Sequence, residues 1–483
     1  FKKYEIQSNP KDLTFADAMN RMGDCYFYAR DFDNAIKSYN KSITASPSFG
    51  DYPLFQVGYV NGLQKKYTTK IMTMERLISE YPNSQYVDDA YYEIGRAYLM
   101  LESGDKAIAS YRNLLAKFPN STLAPKASLE IGMIYLNKRD MNNAIPAYQY
   151  VVEKYPGSEE SRTALRSLET AYIENNNVSE YLDYAKSLGT TVQTNISARE
   201  DSITFIAVEK QYMSLNYKEA ITGFTGYLSK YCEGGQYCTT ARYYLADSYY
   251  QTEDYDNALT EFEKLAEIAG NKYMEEAVLR SAEISYDKKQ FDKSLDYFGR
   301  LQEVAATTDN KNIGRLGVLR SSYFLNNHER TIEIANEIID DAQINDETKL
   351  EARYNRAKAY VETEQYQNAV PDLKIVSENT RTKNGAESKY LLSQLYLDDN
   401  KLDDAEKEVL DFVQKNTTQQ NQYWLARAFV VLSDIYIKRG DDFQAKQYLL
   451  SLQKNYTEQN EVQDMITERL EGINVREQQN IIN

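Results

Sequence analysis

The chain has 483 residues, of which 42% are hydrophobic and 27% charged, with a formal net charge of −16. That balance excludes a general basic footprint for nucleic-acid phosphates and disfavours anionic membrane surfaces. Gly (20) and Pro (9) are scarce, which argues against an all-β protein with many turns, whereas Tyr (43) is abundant. No run of 18 or more apolar residues is present, so no segment is expected to span a membrane. The chain starts at Phe1 rather than Met, so a signal peptide or lipid-modified N-terminus would lie outside it.

In chain order, a short loop recurs as EYPNS, KFPNS and KYPGS, with Pro82, Pro119 and Pro156 each 37 residues apart. Residues 91–119 and 128–156 repeat one another, Gly95 matching Gly132, Tyr98 matching Tyr135, Ala107 matching Ala144 and Tyr111 matching Tyr148. Each unit reads as two helices. Tyr91, Ile94, Tyr98 and Leu101 form an apolar stripe in the first, and Ala107, Ile108, Tyr111, Leu114 and Leu115 form another in the second. Gly104 and Asp105 break the two, and Phe118-Pro119 stops the second because proline cannot continue a helix. Ser121 or Thr122 is expected to cap the helix that follows.

The small residue at Ala107 serves as an anchor that can be followed along the whole chain. It gives Ala35, Lys70, Ala107, Ala144, Tyr181, Ala220, Ala258, Ser294, Thr331, Ala369, Ala405 and Ala445, at spacings of 35 to 40 residues. About twelve helix pairs follow, with looser or shifted packing expected at Lys70, Tyr181, Ser294 and Thr331. Gly23 and Gly58 fall where Gly95 and Gly132 do, at close helix crossings. Pro146 and Pro371 each stand two residues after an anchor, which suggests the first turn of a second helix. Val462, Ile466, Leu470 and Ile473 make a last stripe, expected as a solvating cap helix over 459–475, with 476–483 loose.

This pattern of Gly, Tyr, Ala, Tyr or Phe, and Pro resembles the tetratricopeptide repeat (TPR) from about Ala16 to Tyr456. The resemblance implies an all-α, TPR-like α-solenoid, a superhelix of about twelve antiparallel helix pairs plus a cap helix. Three stretches are expected: Pro-terminated units over 1–157, partly degenerate units over 158–456, and the cap and tail over 457–483. Units ending YPNS or YPGS, above all YPNSQYVDDAYYEIGRAYL at 81–99, resemble bacterial envelope TPR proteins of the outer-membrane assembly lipoprotein and Tol–Pal-associated types. The Tyr- and Asn-rich composition is similar to that of Bacteroidetes proteins. A periplasmic or outer-membrane-associated location follows from that likeness, with membrane tethering through a segment ahead of Phe1.

Cys232 and Cys238 flank Gly234-Gly235 in YCEGGQYC, close enough for a disulfide that would staple an inter-repeat turn in an oxidising compartment. The competing reading is two free thiols in a reduced protein. Cys25 reads as a small buried residue. The one histidine, His328, reads as a solvated turn residue and cannot build a multi-histidine zinc site. No catalytic triad or phosphate-binding loop is legible, and Gly234-Gly235 follows no strand. Acids such as those in DYDNALTEFEK and KLDDAEKEVLDF read as solvated helix faces. No enzyme activity, metal or cofactor is expected.

In the TPR family the first helix of each pair lines the concave face. That rule picks Tyr28, Phe55, Tyr59, Tyr92, Arg96, Leu99, Tyr243, Asp247, Tyr250, Tyr354, Lys358, Tyr390 and Gln394 as candidate contacts for partner proteins or peptides. Tyrosine suits such a role through its large area and few rotatable bonds. The competing expectation is that these rings pack between repeats. The leading function is a non-enzymatic scaffold for envelope complexes. A cytoplasmic adaptor and a glycan-binding helical protein are the alternatives.

Overall fold

The computed structural model describes residues 13–189, 195–233, 235–416 and 421–482. Among them there are helices and no strands, as expected of an α-solenoid. The chain divides into two compact units, Phe1–Lys210 and Gln211–Asn483. The first holds the helix pairs Leu13–Tyr28 with Phe32–Ala45, Asp51–Leu63 with Tyr67–Glu80, Val87–Met100 with Gly104–Lys117, Ala124–Asn137 with Met141–Lys154, and Glu159–Glu174 with Val178–Ser187. The division falls inside Glu200–Met213, which precedes Tyr217–Tyr231. The second unit continues with Cys238–Gln251 and Tyr255–Ala266, Met274–Asp287 and Phe291–Val304, Thr308–Phe324 and His328–Asp340, and Asp346–Glu362 and Tyr366–Val376. Lys383–Asp398 with Leu402–Lys415, Gln422–Lys438 with Asp442–Asn455, and a closing helix Glu461–Ile482 complete it.

All twelve anchors are the fourth residue of their second helix, and all are buried. Five residues before each anchor the backbone turns left-handed, from Arg30 and Lys65 through Asn400 to Gly440. Eleven of these twelve residues are not glycine, so one turn geometry is imposed by packing on whatever side chain stands there.

The expected loosening is absent at Lys70, Ser294 and Thr331, whereas at Tyr181 the second helix, Val178–Ser187, is short and meets Glu159–Glu174 less extensively than the helices of the other pairs of the first unit meet each other. Lys70 is buried and pairs with the Glu93 carboxylate. The Tyr181 hydroxyl donates to Glu169 at 3.3 Å, Ser294 shares a hydrogen bond with Ser321 at 2.8 Å, and the Thr331 hydroxyl donates to Ser322 at 3.1 Å. Polar anchors are tolerated because each finds a partner on a neighbouring helix.

Other local expectations need correcting. Pro146 and Pro371 are the sixth residues of their helices, in the second turn rather than the first, because each helix begins ahead of its anchor. Both prolines and the residues four before them, Asn142 and Gln367, are exposed, so water reaches the carbonyls left without an N–H donor. Ser121 does not cap the next helix, which starts at Ala124. Its hydroxyl accepts from the Leu123 N–H at 3.0 Å and donates to Asp88 at 2.6 Å. Ser84 bonds Asp51 in the same way at 2.7 Å, whereas Ser158 is a true N-cap, accepting from the Ser161 N–H at 2.9 Å. Residues from 476 to Ile482 are helical, not loose, and Arg476 holds Asp442 with two bonds of 2.9 and 2.8 Å. Cys25 is an exposed free thiol, not a buried one, because its position faces away from the Tyr39 contact made by Gly23. His328 opens a helix and is half-buried, with Nδ1 lacking a protein partner.

Candidate partner-binding face

Several successive first helices touch one another, for example Asp51–Leu63 with Val87–Met100 and Lys383–Asp398 with Gln422–Lys438. Successive second helices make no comparable contacts. In those pairs the first helices stand closer to one another than the second helices do. The crossing is close because the glycines leave room for rings. A Cβ on Gly23 would lie 2.5 Å from Tyr39 Cε1, and one on Gly132 would lie 2.7 Å from Tyr148. Gly58 faces Met74 in the same way. Tyr98 and Tyr135 pack half-buried beside them.

In the first unit the candidates build a run of rings. Tyr28 is 85% exposed and stands edge-on to Phe27 at 6.0 Å. Phe27 lies 6.2 Å from Tyr59, Tyr59 stacks on Phe55 at 6.3 Å, and Phe55 stacks on Tyr86 at 5.2 Å. Asp24 accepts the hydroxyls of Tyr39 and Tyr52 at 2.8 and 2.6 Å. Burial, and then Asp24, push both phenols up. Tyr92 lies 5.6 Å from the buried Tyr111 ring, Arg96 donates to Glu93 at 3.0 Å, and Leu99 is half-buried. Beside them, burial raises the Glu130 carboxyl against the opposing charge of Arg96.

In the second unit the candidates mostly bridge one repeat to the next. Tyr243 stacks face to face on Tyr273 at 4.1 Å, and burial pushes its hydroxyl up to about 12. Asp247 accepts from the Tyr212 hydroxyl at 2.7 Å, and the Arg280 guanidinium lies 4.9 Å from the Tyr250 ring centroid. The Tyr354 hydroxyl and the Lys358 ammonium both donate to Glu387 at 2.7 Å. Burial works against the charge on Lys358, but the Glu387 carboxylate outweighs it and raises its pKa. Tyr390 is buried, stacks on Trp424 at 5.6 Å and accepts from Arg427 at 2.8 Å. Gln394 stays within its own helix, donating to Asp398 at 2.9 Å.

Sequence reasoning missed the partners of these residues. Arg320 grips Glu351 through two bonds of 2.6 and 2.9 Å, and Arg469 grips Asp434 through two of 2.7 and 2.8 Å. A signal was available. Arg320 and Lys358 stand eleven residues before their anchors, and Glu351 and Glu387 stand eighteen before theirs. Opposite charges at those two recurring positions mark a cross-repeat pair.

Cys232 and Cys238 are joined by a disulfide with Cα atoms 5.5 Å apart, closing the turn between Tyr217–Tyr231 and Cys238–Gln251. Gly234 lies outside the described residues. Among the described residues no group of three or more His, Cys, Asp or Glu is placed to hold a metal, and no helix is long and apolar enough to cross a membrane.

Three models of the tetratricopeptide repeat match the chain, one over residues 92–159 and 354–420, one over 16–49 and one over 54–84 and 240–271. No curated protein matches significantly. Among solved structures, the chain is similar to Naa15/Naa10 bound to HypK-THB at 12% identity and a TM-score of 0.42, covering 90% of this chain and 68% of that one. It is similar to a tetratricopeptide repeat protein from Parabacteroides merdae at 13% identity and a TM-score of 0.30, covering 63% and 99%. A third is MamA, at 22% identity and a TM-score of 0.31, covering 38% and 94%. Matched by family models over stretches from residue 16 to residue 420, and carrying one register across twelve buried anchors, the chain is a tetratricopeptide-repeat protein.

Proposed function

We propose that the chain is a non-enzymatic scaffold that binds partner proteins along its first-helix faces and serves the assembly or organisation of bacterial envelope complexes. The observation that carries the binding role is the approach of successive first helices to one another in several repeats, together with exposed first-helix rings such as Tyr28. Such surfaces suit extended partners because each repeat adds a similar strip of contact. The envelope setting is supported by the Cys232–Cys238 bond, since such bonds persist in oxidising compartments.

The test is crosslinking of the native protein in its own cells, with mass spectrometry of crosslinked residues and thiol state. Crosslinks from first-helix residues to envelope proteins, with Cys232 joined to Cys238, are the expected result. Cytoplasmic partners with both thiols free would replace the envelope scaffold by a cytoplasmic adaptor. Crosslinks confined to second helices would remove the first-helix face as the binding surface.

A further inference from the structure

The cross-repeat bridges of the second unit are interrupted at one step. From Thr308–Phe324 onward, each first helix is tied to the next by Arg320–Glu351, Lys358–Glu387, Tyr390–Arg427 or Asp434–Arg469. Between Met274–Asp287 and Thr308–Phe324 the corresponding positions hold Glu283 and Ile313. An isoleucine stands where the next two pairs carry Glu351 and Glu387, so that bridge cannot form. Near their ends the two helices are joined by the Asn310 bond to Glu275 at 2.7 Å and the contact of Tyr286 with Phe324 at 6.2 Å.

Between those ends lies an open cavity of about 490 Å³. Its apolar lining includes Phe298, Ile313 and Leu316, with Ile313 40% exposed. Gly317 lets the Phe298 ring lie against its backbone at the cavity wall, since a Cβ there would stand 2.2 Å from Phe298 Cγ. The surroundings are acidic. Arg280 is shared between Glu276 and Glu283, both at 2.9 Å, and Arg320 is held by Glu351. Asp287 lines the cavity, is exposed and forms no ion pair among the described residues. Glu283 and Asp287 line the cavity with Arg280 and Arg320, and Glu276 and Glu351 engage those two guanidiniums from outside the lining, so that carboxylates outnumber guanidiniums four to two in the cluster.

We propose that this cavity receives one leucine- or phenylalanine-sized side chain of an extended partner segment, flanked by lysine or arginine that pairs with Asp287 and Glu283. The assignment rests on the reading of the first-helix face as the partner-binding face. The apolar lining accounts for the anchor, since small-to-medium pockets lined by apolar side chains with a few polar groups fix one group in one orientation. The excess of carboxylates accounts for the flanking charge and works against acidic segments.

The test uses the full-length protein and three fluorescent peptides: Gly-Ser-Lys-Phe-Lys-Gly-Ser, the same with Ser for Phe, and the same with Glu for both Lys. A benzophenone at the Phe position locates the bound peptide by crosslinking. The expected result is crosslinks to Met274–Asp287 and Thr308–Phe324, with about tenfold or greater weakening for either altered peptide and for Ile313→Asn. Asp287→Lys should weaken the lysine peptide most at low salt. Unchanged melting temperatures show that both variants remain folded. Equal binding of the three peptides, or none, overturns the assignment. Crosslinks elsewhere on first helices overturn it while leaving the scaffold reading in place, and crosslinks confined to second helices remove both.

Discussion

The backbone of Gly95 lies so close to the ring of Tyr111 that a Cβ on Gly95 would stand 2.4 Å from Tyr111 Cε1. Tyr111 is fully buried, so its ring has nowhere to retreat. Gly95→Ala should therefore cost about 1–3 kcal/mol of stability through overpacking. Chemical denaturation would measure it, and an unchanged midpoint would contradict the crossing geometry.

The Tyr111 hydroxyl is buried without a protein partner, whereas the Tyr39 hydroxyl, at the same place in its repeat, donates to Asp24 at 2.8 Å. Removing an unpaired buried polar group relieves its desolvation, and removing a paired one strands its partner. Tyr111→Phe should be neutral or stabilising by up to about 1 kcal/mol, and Tyr39→Phe should destabilise by about 1 kcal/mol. Equal losses in the two unfolding curves would show that Tyr111 has a partner after all.

Lys70 occupies an alanine position and survives there through Glu93, with both side chains 8% exposed. Lys70→Met should destabilise by about 3 kcal/mol, because the Glu93 carboxylate stays buried with only Arg96 beside it. Lys70→Met combined with Glu93→Gln should recover much of the loss. A double-mutant cycle measures the coupling, and additive losses would mean the pair does not interact.

Leu215 is 69% exposed and holds φ at 61° in the turn before Tyr217–Tyr231. Left-handed backbone is costly for leucine and cheap for asparagine. Asn400 and Asn326 already occupy that place in other repeats. Leu215→Asn should raise stability by about 0.5–1 kcal/mol, read as a higher melting temperature.

The hydrogen bonds from Arg476 hold the Asp442 carboxyl below its ordinary range, against the opposing effect of burial. A lowered carboxyl contributes stability above its unfolded pKa and loses it as pH falls through the folded value. Arg476→Gln should cost about 0.5–1 kcal/mol near neutral pH, and the difference from wild type should vanish in acid below both values. Hydrogen exchange in the last turns of Glu461–Ile482 would report it locally. A difference that persisted in acid would point to lost packing of the arginine stem instead.

How far the sequence could be read differs between the two kinds of contact. Ala107 and Ala144, Gly95 and Gly132, and the Pro119 and Pro156 stops predicted each helix pair, because stripe, crossing and stop all lie within one unit of about 37 residues. The twelve anchors then proved to share one helix position and one left-handed turn. The fate of the tyrosines was not legible in this way. Tyr28 and Tyr390 were chosen by the same rule, yet Tyr28 is 85% exposed and Tyr390 only 6%, because Trp424 and Arg427 cover the latter from the next repeat.

The sequence by itself determined the class of fold, the number of hairpins and the register, since periodic burial and helix stops act over a few turns of one chain segment. Only the tertiary structure decided which side chains of the first-helix face are occupied by neighbours and where the face opens. Those outcomes depend on how helices of neighbouring repeats are set against each other. That is why Lys70 found Glu93 and Lys358 found Glu387, whereas Glu283 and Ile313, at the corresponding positions of another step, line a cavity.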